Sequence, residues 1–363
     1  MTGLVPAMTR RMGIPSLFTL HNIHTVKLTL DHIEHAGIDT AEFWQHLYYT
    51  HPPGTYEQCR SSNPVDLLAS GIFASHWVNT VSPSFLDEIV QGSHSSVPPE
   101  THSELKHKLE AGFASGVLNA PDSSYNATSD DALPHPYSPE NAIEKKTKNK
   151  RVFQERMGLT LNKDAPLFFW PSRLDPIQKG PELLSNILSR LVSTYRDNGI
   201  QIALVADGEH AQYFRDIIAV ENLHGTVSLR PFDENLSRLG FAASDFILMP
   251  SKFEPCGLTQ MIALKYGSLP IVRNTGGLKD TVENLDASDS RGNGFLFEDY
   301  DSEGLMWGIR CAMDFHRLPS KTKKKEIQRI MQESISRFTH EQTASQYINL
   351  YEAMLGKPLN PQD

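Results

Sequence analysis

Short apolar runs alternate with helical patterns through the second half of the chain, and no other feature constrains the fold as strongly. Runs of this kind are typical of parallel strands buried on both faces, with helices as the crossover connections. They occupy 167–170, 202–206, 226–229, 246–249 and 269–272. The sequence therefore predicts a doubly wound α/β domain in this half.

The first half shows the same elements less regularly. Strands are predicted over 16–20 and 77–81, and helices over 40–49, 64–73 and 83–90. Two strands make a poor sheet by themselves. We therefore expect a second α/β domain that is incomplete and lacks N-terminal strands.

Composition narrows the class of function. The chain has 34 Lys+Arg against 43 Asp+Glu, a formal net charge of −9, whereas a general nucleic-acid binder needs a basic surface. No apolar run approaches the roughly 20 residues of a membrane span, and no signal-peptide pattern opens the chain. The three cysteines are too far apart for a disulfide framework or a metal knuckle. These features predict a cytoplasmic protein with no nucleic-acid or membrane partner.

A proline- and lysine-rich stretch over 134–151 is poor in apolar residues. Because prolines oppose a continuing helix and lysines resist burial, we interpret it as the connection between the two domains. The alternative is a long surface loop within one domain.

Candidate site residues follow the apolar runs, since ligands of an open parallel sheet bind beyond the carboxyl ends of its strands. They comprise two cations, a carboxylate, an aromatic ring and two glycine-containing turns into helices. The residues are Arg173, Lys179, Phe232, Glu254, Cys256, Gly257, Leu258, Thr259, Gly276 and Gly277. Cations and helix N-termini attract the negative charge of a diphosphate. A carboxylate accepts hydrogen bonds from sugar hydroxyls, and an aromatic ring can stack on a base. The set predicts a site for a nucleoside diphosphate sugar.

Each of these residues also has a simpler explanation. Arg173 and Lys179, taken singly, are more often surface ion-pair partners, and Phe232 is more often part of the core. Cys256 is more often a small buried hydrophobe than a nucleophile, and Gly276-Gly277 fits a tight turn equally well. Only their occurrence together favours a site. The chain has neither a Gly-x-Gly-x-x-Gly fingerprint nor a P-loop, which disfavours a dinucleotide oxidoreductase or a nucleoside triphosphatase.

One motif in this set is specific enough to suggest a family. It reads Pro250-Ser251-Lys252-Phe253-Glu254-Pro255-Cys256-Gly257-Leu258-Thr259-Gln260, with Thr275-Gly276-Gly277-Leu278 after it. Further matches are Thr19-Leu20-His21-Asn22, Gly116-Val117-Leu118-Asn119, Ser172-Arg173-Leu174 and Gln178-Lys179-Gly180. Together these segments resemble the bacterial glycogen synthase and plant starch synthase family.

The resemblance implies two Rossmann-like domains facing across a cleft, with the N-terminal one incomplete. The implied boundaries are 1–148 for the partial acceptor-side domain with its linker and 149–335 for the nucleotide-sugar domain. Residues 336–363 would form a C-terminal helix that packs back toward the first domain. We expect these three parts in the structure.

The resemblance also implies an activity. This is transfer of glucose from ADP-glucose to the non-reducing end of an α-1,4-glucan, with retention of configuration and without a metal or other cofactor. The leaving phosphate would assist same-face attack, so no covalent enzyme nucleophile is expected. One alternative is a non-catalytic truncated paralogue or fragment that binds ADP-sugar or glucan. Another is a retaining transferase of the sucrose or trehalose type. The choice between ADP-glucose and UDP-glucose and the oligomeric state remain open.

The resemblance implies roles for single residues on the side of the sugar donor and on the side of the glucan acceptor. Arg173 and Lys179 would hold the diphosphate, with Glu254 beside the donor glucose and His21 near the anomeric carbon. Substrate contacts are implied for Asn22, Asn119, Phe232, Cys256, Gly257, Leu258, Thr259, Gly276 and Gly277. Phe232 stands where the family has a tyrosine against adenine.

Some family features are absent. The family opens with a strand and a Lys-x-Gly-Gly-Leu loop, whereas Met1-Thr2-Gly3-Leu4 resembles a later segment. Asn119-Ala120-Pro121-Asp122 replaces the usual Asn-Gly-Ile-Asp. We therefore expect a nearly intact donor side and an incomplete acceptor side.

Overall fold

The computed structural model describes residues 1–359 and divides the chain into two α/β units. Unit 1 comprises residues 1–118 and 343–359, and unit 2 comprises residues 119–342. The boundaries between the units lie at 118/119 and 342/343. The boundaries expected from the sequence were 148/149 and 335/336. The last four residues of the predicted C-terminal segment 336–363 lie outside the described residues. Within residues 1–359, no helix combines the length and the apolar character that crossing a bilayer requires.

Unit 1 is built on a three-stranded parallel sheet in the order β1-β4-β5, beside a two-stranded antiparallel pair of β2 and β3. The strands are β1 (Leu17–Leu20), β2 (Lys27–Leu28), β3 (Val65–Asp66), β4 (Trp77–Thr80) and β5 (Ala114–Gly116). The helices are α1 (Val5–Arg11), α2 (Leu30–His35), α3 (Tyr56–Ser62), α4 (Leu67–Ala74), α5 (Pro83–Val90) and α6 (Pro99–Glu110). The two predicted strands are confirmed, whereas β2, β3 and β5 are additions, with β3 lying at the start of the predicted helix over 64–73.

The predicted helix over 40–49 is wrong. Only a 3-10 turn, Trp44–His46, forms there. The end of this segment is drawn into extended pairing, because Tyr49 forms a bridge with Val65 and the Asp66 N–H donates to the Tyr48 carbonyl at 2.9 Å. Cross-strand pairing has overridden a helical spacing of apolar residues.

Unit 2 contains a six-stranded parallel sheet in the order β8-β7-β6-β9-β10-β11. Its strands are β6 (Leu167–Trp170), β7 (Gln201–Val205), β8 (Val227–Arg230), β9 (Phe246–Met249), β10 (Leu269–Arg273) and β11 (Phe295–Phe297). Its helices are α7 (Ala142–Met157), α8 (Pro181–Thr194), α9 (Ala211–Val220), α10 (Glu234–Ala243), α11 (Thr259–Lys265), α12 (Gly276–Thr281), α13 (Ser302–His316) and α14 (Ser320–Arg337). All five predicted strands are confirmed, and β11 is added at one edge.

This strand order is that of a Rossmann fold. The chain runs outward from β6 to β8, then returns to β9 on the other side of β6 and runs outward again. Ligands of such sheets bind where the order reverses, beyond the carboxyl ends of the two central strands. In unit 2 that position lies beyond the ends of β6 and β9.

The last helix, α15 (His340–Leu355), begins in unit 2 and continues into unit 1. Within unit 1, the buried Asn79 side chain donates to the Tyr347 hydroxyl at 3.1 Å and accepts from the Thr19 hydroxyl at 2.6 Å. The C-terminal part of this helix is thus tied to the unit 1 sheet.

The stretch over 134–151 is not an interdomain connection. It lies within unit 2, and α7 buries two of its lysines, Lys146 and Lys150. The Lys146 ammonium donates to the Tyr266 carbonyl at 3.0 Å and the Ser268 hydroxyl at 2.9 Å, while Lys150 pairs with Asp245 at 2.6 Å. The linker prediction is wrong because these acceptors offset the cost of burying a cation.

Candidate functional site

An ion pair lies at the point where the strand order of unit 2 reverses. Lys179 belongs to the loop that follows β6, and Glu254 to the loop that follows β9. The Lys179 ammonium donates to Glu254 Oε2 at 2.6 Å, and the two side chains are 15% and 7% exposed. The two central loops of the sheet are therefore joined by a largely desolvated pair of charges.

The two carboxylate oxygens of Glu254 have different surroundings. Oε2 accepts from Lys179 and from the Ser251 hydroxyl, the latter at 3.1 Å. Oε1 makes no hydrogen bond to any residue within 1–359. Glu254 is therefore buried and does not lie at the exposed rim of the site. Its Oε1 atom nevertheless remains available to accept a hydrogen bond from a ligand.

Backbone hydrogen bonds hold the loops around this pair. The Lys252 N–H donates to the Gln178 carbonyl at 2.8 Å, and the Gly277 N–H donates to the Glu254 carbonyl at 2.9 Å. The loops after β6, β9 and β10 therefore form one connected surface, and Gly277 belongs to it.

Two glycines are required by this close approach. A Cβ on Gly277 would lie 2.0 Å from the Cys256 carbonyl oxygen, which is backbone and cannot move aside easily. Gly180, directly after Lys179, has φ +68° and would place a Cβ 2.4 Å from the Pro250 carbonyl oxygen. Larger residues at either position would push the loops apart.

Arg173 differs from Lys179 in its exposure and in its partners. Its side chain is exposed and has no hydrogen-bond or ion-pair partner within residues 1–359. The backbone around it is nonetheless fixed, since the Leu174 N–H donates to the Asp207 carbonyl at 2.8 Å and the Trp170 indole donates to the Ser172 carbonyl at 2.8 Å. The ion-pair alternative thus holds for Lys179 and not for Arg173.

Cys256 is a buried neutral thiol. Burial raises the pKa of Cys256 to about 12, and the backbone of Asn119 hydrogen-bonds to the thiol. At neutral pH a thiol with such a pKa is a poor nucleophile. This agrees with a packing role, and it places Asn119 beside Cys256 within unit 2.

The loop after Cys256 leads into α11, which begins at Thr259. Leu258 is exposed, and Gly257 has φ +71°. The Gln260 amide donates to the Gly257 carbonyl at 2.7 Å and to the Thr281 hydroxyl at 3.0 Å. This side chain fixes the loop against α12.

Phe232 lies in the loop after β8 and is 56% exposed, so the core alternative is wrong for this residue. Asp207 Oδ2 accepts from the Phe232 N–H at 3.3 Å. The aromatic ring is therefore presented to solvent at the same end of the sheet.

The predicted acceptor-side residues His21 and Asn22 follow β1 in unit 1, and both are exposed. Asn22 Oδ1 accepts from the His24 N–H at 3.0 Å, which closes a small turn. Within unit 1 they lie beyond the carboxyl end of an edge strand.

The sequence analysis missed Asn274 and Ser251 as site candidates. The Asn274 amide donates to Glu298 Oε1 at 2.8 Å, whereas its own oxygen is buried without a partner in the described chain. Asn274 directly follows β10, so the strand-end argument that found Arg173 would also have found it. No sequence signal marks Ser251 as a donor to Glu254.

Sequence profiles of two families match the chain. "Glycosyl transferases group 1" matches residues 153–329, and "Starch synthase catalytic domain" matches residues 1–104. The two profiles fall on different units, and together with the Rossmann-type sheet of unit 2 they define the class: a glycosyltransferase with two Rossmann-like units.

Solved structures give the same class. The catalytic domain of starch synthase IV from Arabidopsis thaliana, bound to ADP and acarbose, matches with a TM-score of 0.79 at 28% identity, covering 95% of this chain and 68% of that one. Sucrose-phosphate synthase from Thermosynechococcus elongatus matches with a TM-score of 0.58 at 16% identity, over 98% of this chain and 72% of that one. The second likeness concerns the fold alone.

Curated relatives narrow the class to a family. Glycogen synthase of Petrotoga mobilis is 36% identical over 81% of this chain and 58% of its own length. Glycogen synthase of Exiguobacterium sibiricum is 33% identical over 96% of this chain and 70% of its own length. The chain belongs to the glycogen synthase family, as the motif around Glu254 predicted, and it spans 58% to 70% of these two relatives.

Proposed function

We propose that this chain carries the donor site of a retaining glucosyltransferase that moves glucose from ADP-glucose to the non-reducing end of an α-1,4-glucan. The observation that carries the proposal is the Lys179–Glu254 pair at the strand-order reversal of unit 2, with the unpartnered Arg173 in the same loop as Lys179. Family membership and the ADP in the starch synthase IV structure support the choice of donor.

The diphosphate is assigned to Arg173 and Lys179. The Arg173 guanidinium has all its N–H donors free for phosphate oxygens, and the Lys179 ammonium has donors beyond the one that Glu254 accepts. Charge-assisted hydrogen bonds of this kind contribute about 1.5–3 kcal/mol each. Both cations would also stabilise the charge that develops on the departing ADP.

The glucose is assigned to Glu254 and the loops around it. Glu254 Oε1 is the free acceptor for a sugar hydroxyl, while its pairing through Oε2 keeps the carboxylate oriented. The backbone at Cys256–Thr259 and at Gly276-Gly277 would contact glucose and phosphate, and Asn119 would assist from beside Cys256. We assign the adenine to the exposed ring of Phe232.

The transfer step needs no enzyme nucleophile. Cys256 is a neutral buried thiol, and the acceptor hydroxyl would attack the same face that ADP leaves, helped by the leaving phosphate. Catalysis then rests on positioning and on charge stabilisation. His21 and Asn22 are assigned to the acceptor side, His21 near the anomeric carbon.

Calorimetric titration with ADP, ADP-glucose and UDP-glucose tests the donor assignment. We expect the adenine ligands to bind, and an Arg173→Ala/Lys179→Ala variant to lose that binding. Arg196→Ala, an exposed arginine of the same unit, is the matched control and should bind like the parent chain. Equal affinity in the double variant would overturn the assignment. Binding of ADP-glucose without glucosyl transfer to maltoheptaose would favour the non-catalytic alternative.

A further inference from the structure

One cavity in unit 2 shares no lining residue with the loops that hold Lys179 and Glu254. It has a volume of about 210 Å³ and is lined by residues from two segments, 121–127 and 335–341, together with Lys265 at the end of α11. The chain enters unit 2 just before the first segment and leaves it just after the second. Nothing in the proposed glucosyl transfer uses this cavity.

Lys265 is the unusual residue of this cavity. Its side chain is only 9% exposed, and it has no hydrogen-bond or ion-pair partner within residues 1–359. Burial lowers the pKa of Lys265, and the one carboxylate that opposes this shift is Asp122. Asp122 is itself exposed and accepts from the Ser124 N–H at 2.8 Å. The Lys265 side chain lines the cavity without a protein partner among the described residues, so an anion in the cavity would supply the partner that the ammonium lacks.

The start of α15 lies on the same cavity through Thr339, His340 and Glu341. The helix is 16 residues long, and the Thr339 hydroxyl accepts only the Gln342 N–H, at 3.3 Å. The first N–H groups of a helix and its dipole attract negative charge. The His340 imidazole adds a further donor.

We propose that this cavity binds the phosphoryl group of a small molecule between the Lys265 ammonium and the start of α15. Phe338, Ile335 and Ala127 supply an apolar wall for the carbon part of a phosphate monoester. The opposing charge is Glu341, whose carboxylate is exposed and hydrogen-bonds to Thr339 and to its own backbone. A bound phosphoryl group would connect the segments over 121–127 and 335–341.

Titration calorimetry with inorganic phosphate and with glycerol 3-phosphate tests this site. The experiment uses the full chain carrying Arg173→Ala, so that phosphate binding at the proposed donor site is reduced. We expect Lys265→Met to weaken binding of at least one probe tenfold or more, and Lys265→Arg to retain it within threefold. Lys148→Met, an exposed lysine on α7, is the matched control and should leave both affinities unchanged. Tighter binding of the monoester would identify the apolar wall as part of the site.

Thermal melting separates loss of the site from loss of the fold. Without phosphate, Lys265→Met should melt at or above the temperature of the parent chain, because it removes an unpartnered buried charge. With phosphate, the parent chain should gain melting temperature and the variant should not. Equal affinity of Lys265→Met for both probes, or no binding of either probe to the parent chain, would overturn the proposal. The outcome does not depend on whether ADP-glucose binds.

Discussion

The two ends of the unit 2 sheet place their cationic side chains in different surroundings. At the amino end, the three donors of the Lys146 ammonium are shared among three backbone carbonyls and one hydroxyl, and Lys150 donates to both Asp245 and the Ala165 carbonyl. At the carboxyl end, Lys179 has one partner, and Arg173 has none among residues 1–359. A cation whose hydrogen-bond donors all have protein partners stabilises the fold. A cation with free donors at the strand-order reversal is available to a ligand.

The largest effect is expected from Glu254→Gln. Gln keeps the shape and a hydrogen-bond acceptor but removes the negative charge that orients Lys179, so glucosyl transfer should fall by about two to three orders of magnitude. Transfer of labelled glucose to maltoheptaose measures it. Glu254→Ala is the poorer test, because it leaves the Lys179 ammonium without its partner. Unchanged turnover in Glu254→Gln would remove Glu254 from the reaction.

At the amino end, Lys146→Met should act on stability alone. It removes a donor from the carbonyls of Phe241, Ala242 and Tyr266, of which the first and last keep the Ser268 and Tyr137 hydroxyls, so the free energy of unfolding should fall by about 2 kcal/mol. Urea denaturation measures the change. The same variant should bind ADP like the parent chain. A loss of ADP affinity with unchanged stability would mean that the amino end of the sheet binds the ligand, contrary to our assignment.

Gly277→Ala should disturb the carboxyl end through shape alone. The added methyl group would lie 2.0 Å from the Cys256 carbonyl oxygen, so the loops after β9 and β10 must separate. Overpacking of this kind costs about 1–3 kcal/mol. We expect a lower melting temperature and roughly tenfold weaker ADP binding. Gly112→Ala in unit 1 is the control: it should also lower the melting temperature, through the strain of an alanine at φ +77°, but leave ADP binding unchanged.

The smallest effect is expected from Cys256→Ala. Because burial raises the pKa of the thiol to about 12, no thiolate is present to attack the sugar at neutral pH. Glucosyl transfer should therefore stay within about tenfold of the parent enzyme, the loss coming only from packing. Trapping of a glucosyl adduct on Cys256 by mass spectrometry would contradict the proposed mechanism.

The sequence predicted the unit 2 sheet well, because five of its strands are apolar runs that need no knowledge of their neighbours. β11 was missed because Phe295–Phe297 is only three residues long, and β5 because Ala114–Gly116 lacks a bulky apolar side chain. Strand ends also led directly to Arg173, Lys179 and Glu254. Local pattern therefore identifies which residues share one end of a parallel sheet.

The sequence failed where tertiary partners decide the outcome. Lys146 and Lys150 looked like solvated linker residues. Their burial is tolerable because of acceptors distant in sequence, among them the Phe241 and Tyr266 carbonyls and the Asp245 carboxylate. The partners of Glu254, and the missing partner of Lys265, likewise depend on distances that no local spacing encodes. Whether a charged side chain has all its hydrogen-bond partners is decided only in the folded chain.

The most direct test of the difference between the two ends is one titration of ADP-glucose into two variants, Lys179→Met and Lys146→Met, with thermal melting of each. We expect Lys179→Met to lose ADP-glucose affinity by at least tenfold, with a lower melting temperature as well, because Glu254 loses its partner. We expect Lys146→Met to melt well below the parent chain and, while folded, to bind ADP-glucose normally. Equal ADP-glucose affinity in the two variants would contradict the claim that the carboxyl end of the unit 2 sheet is the donor site.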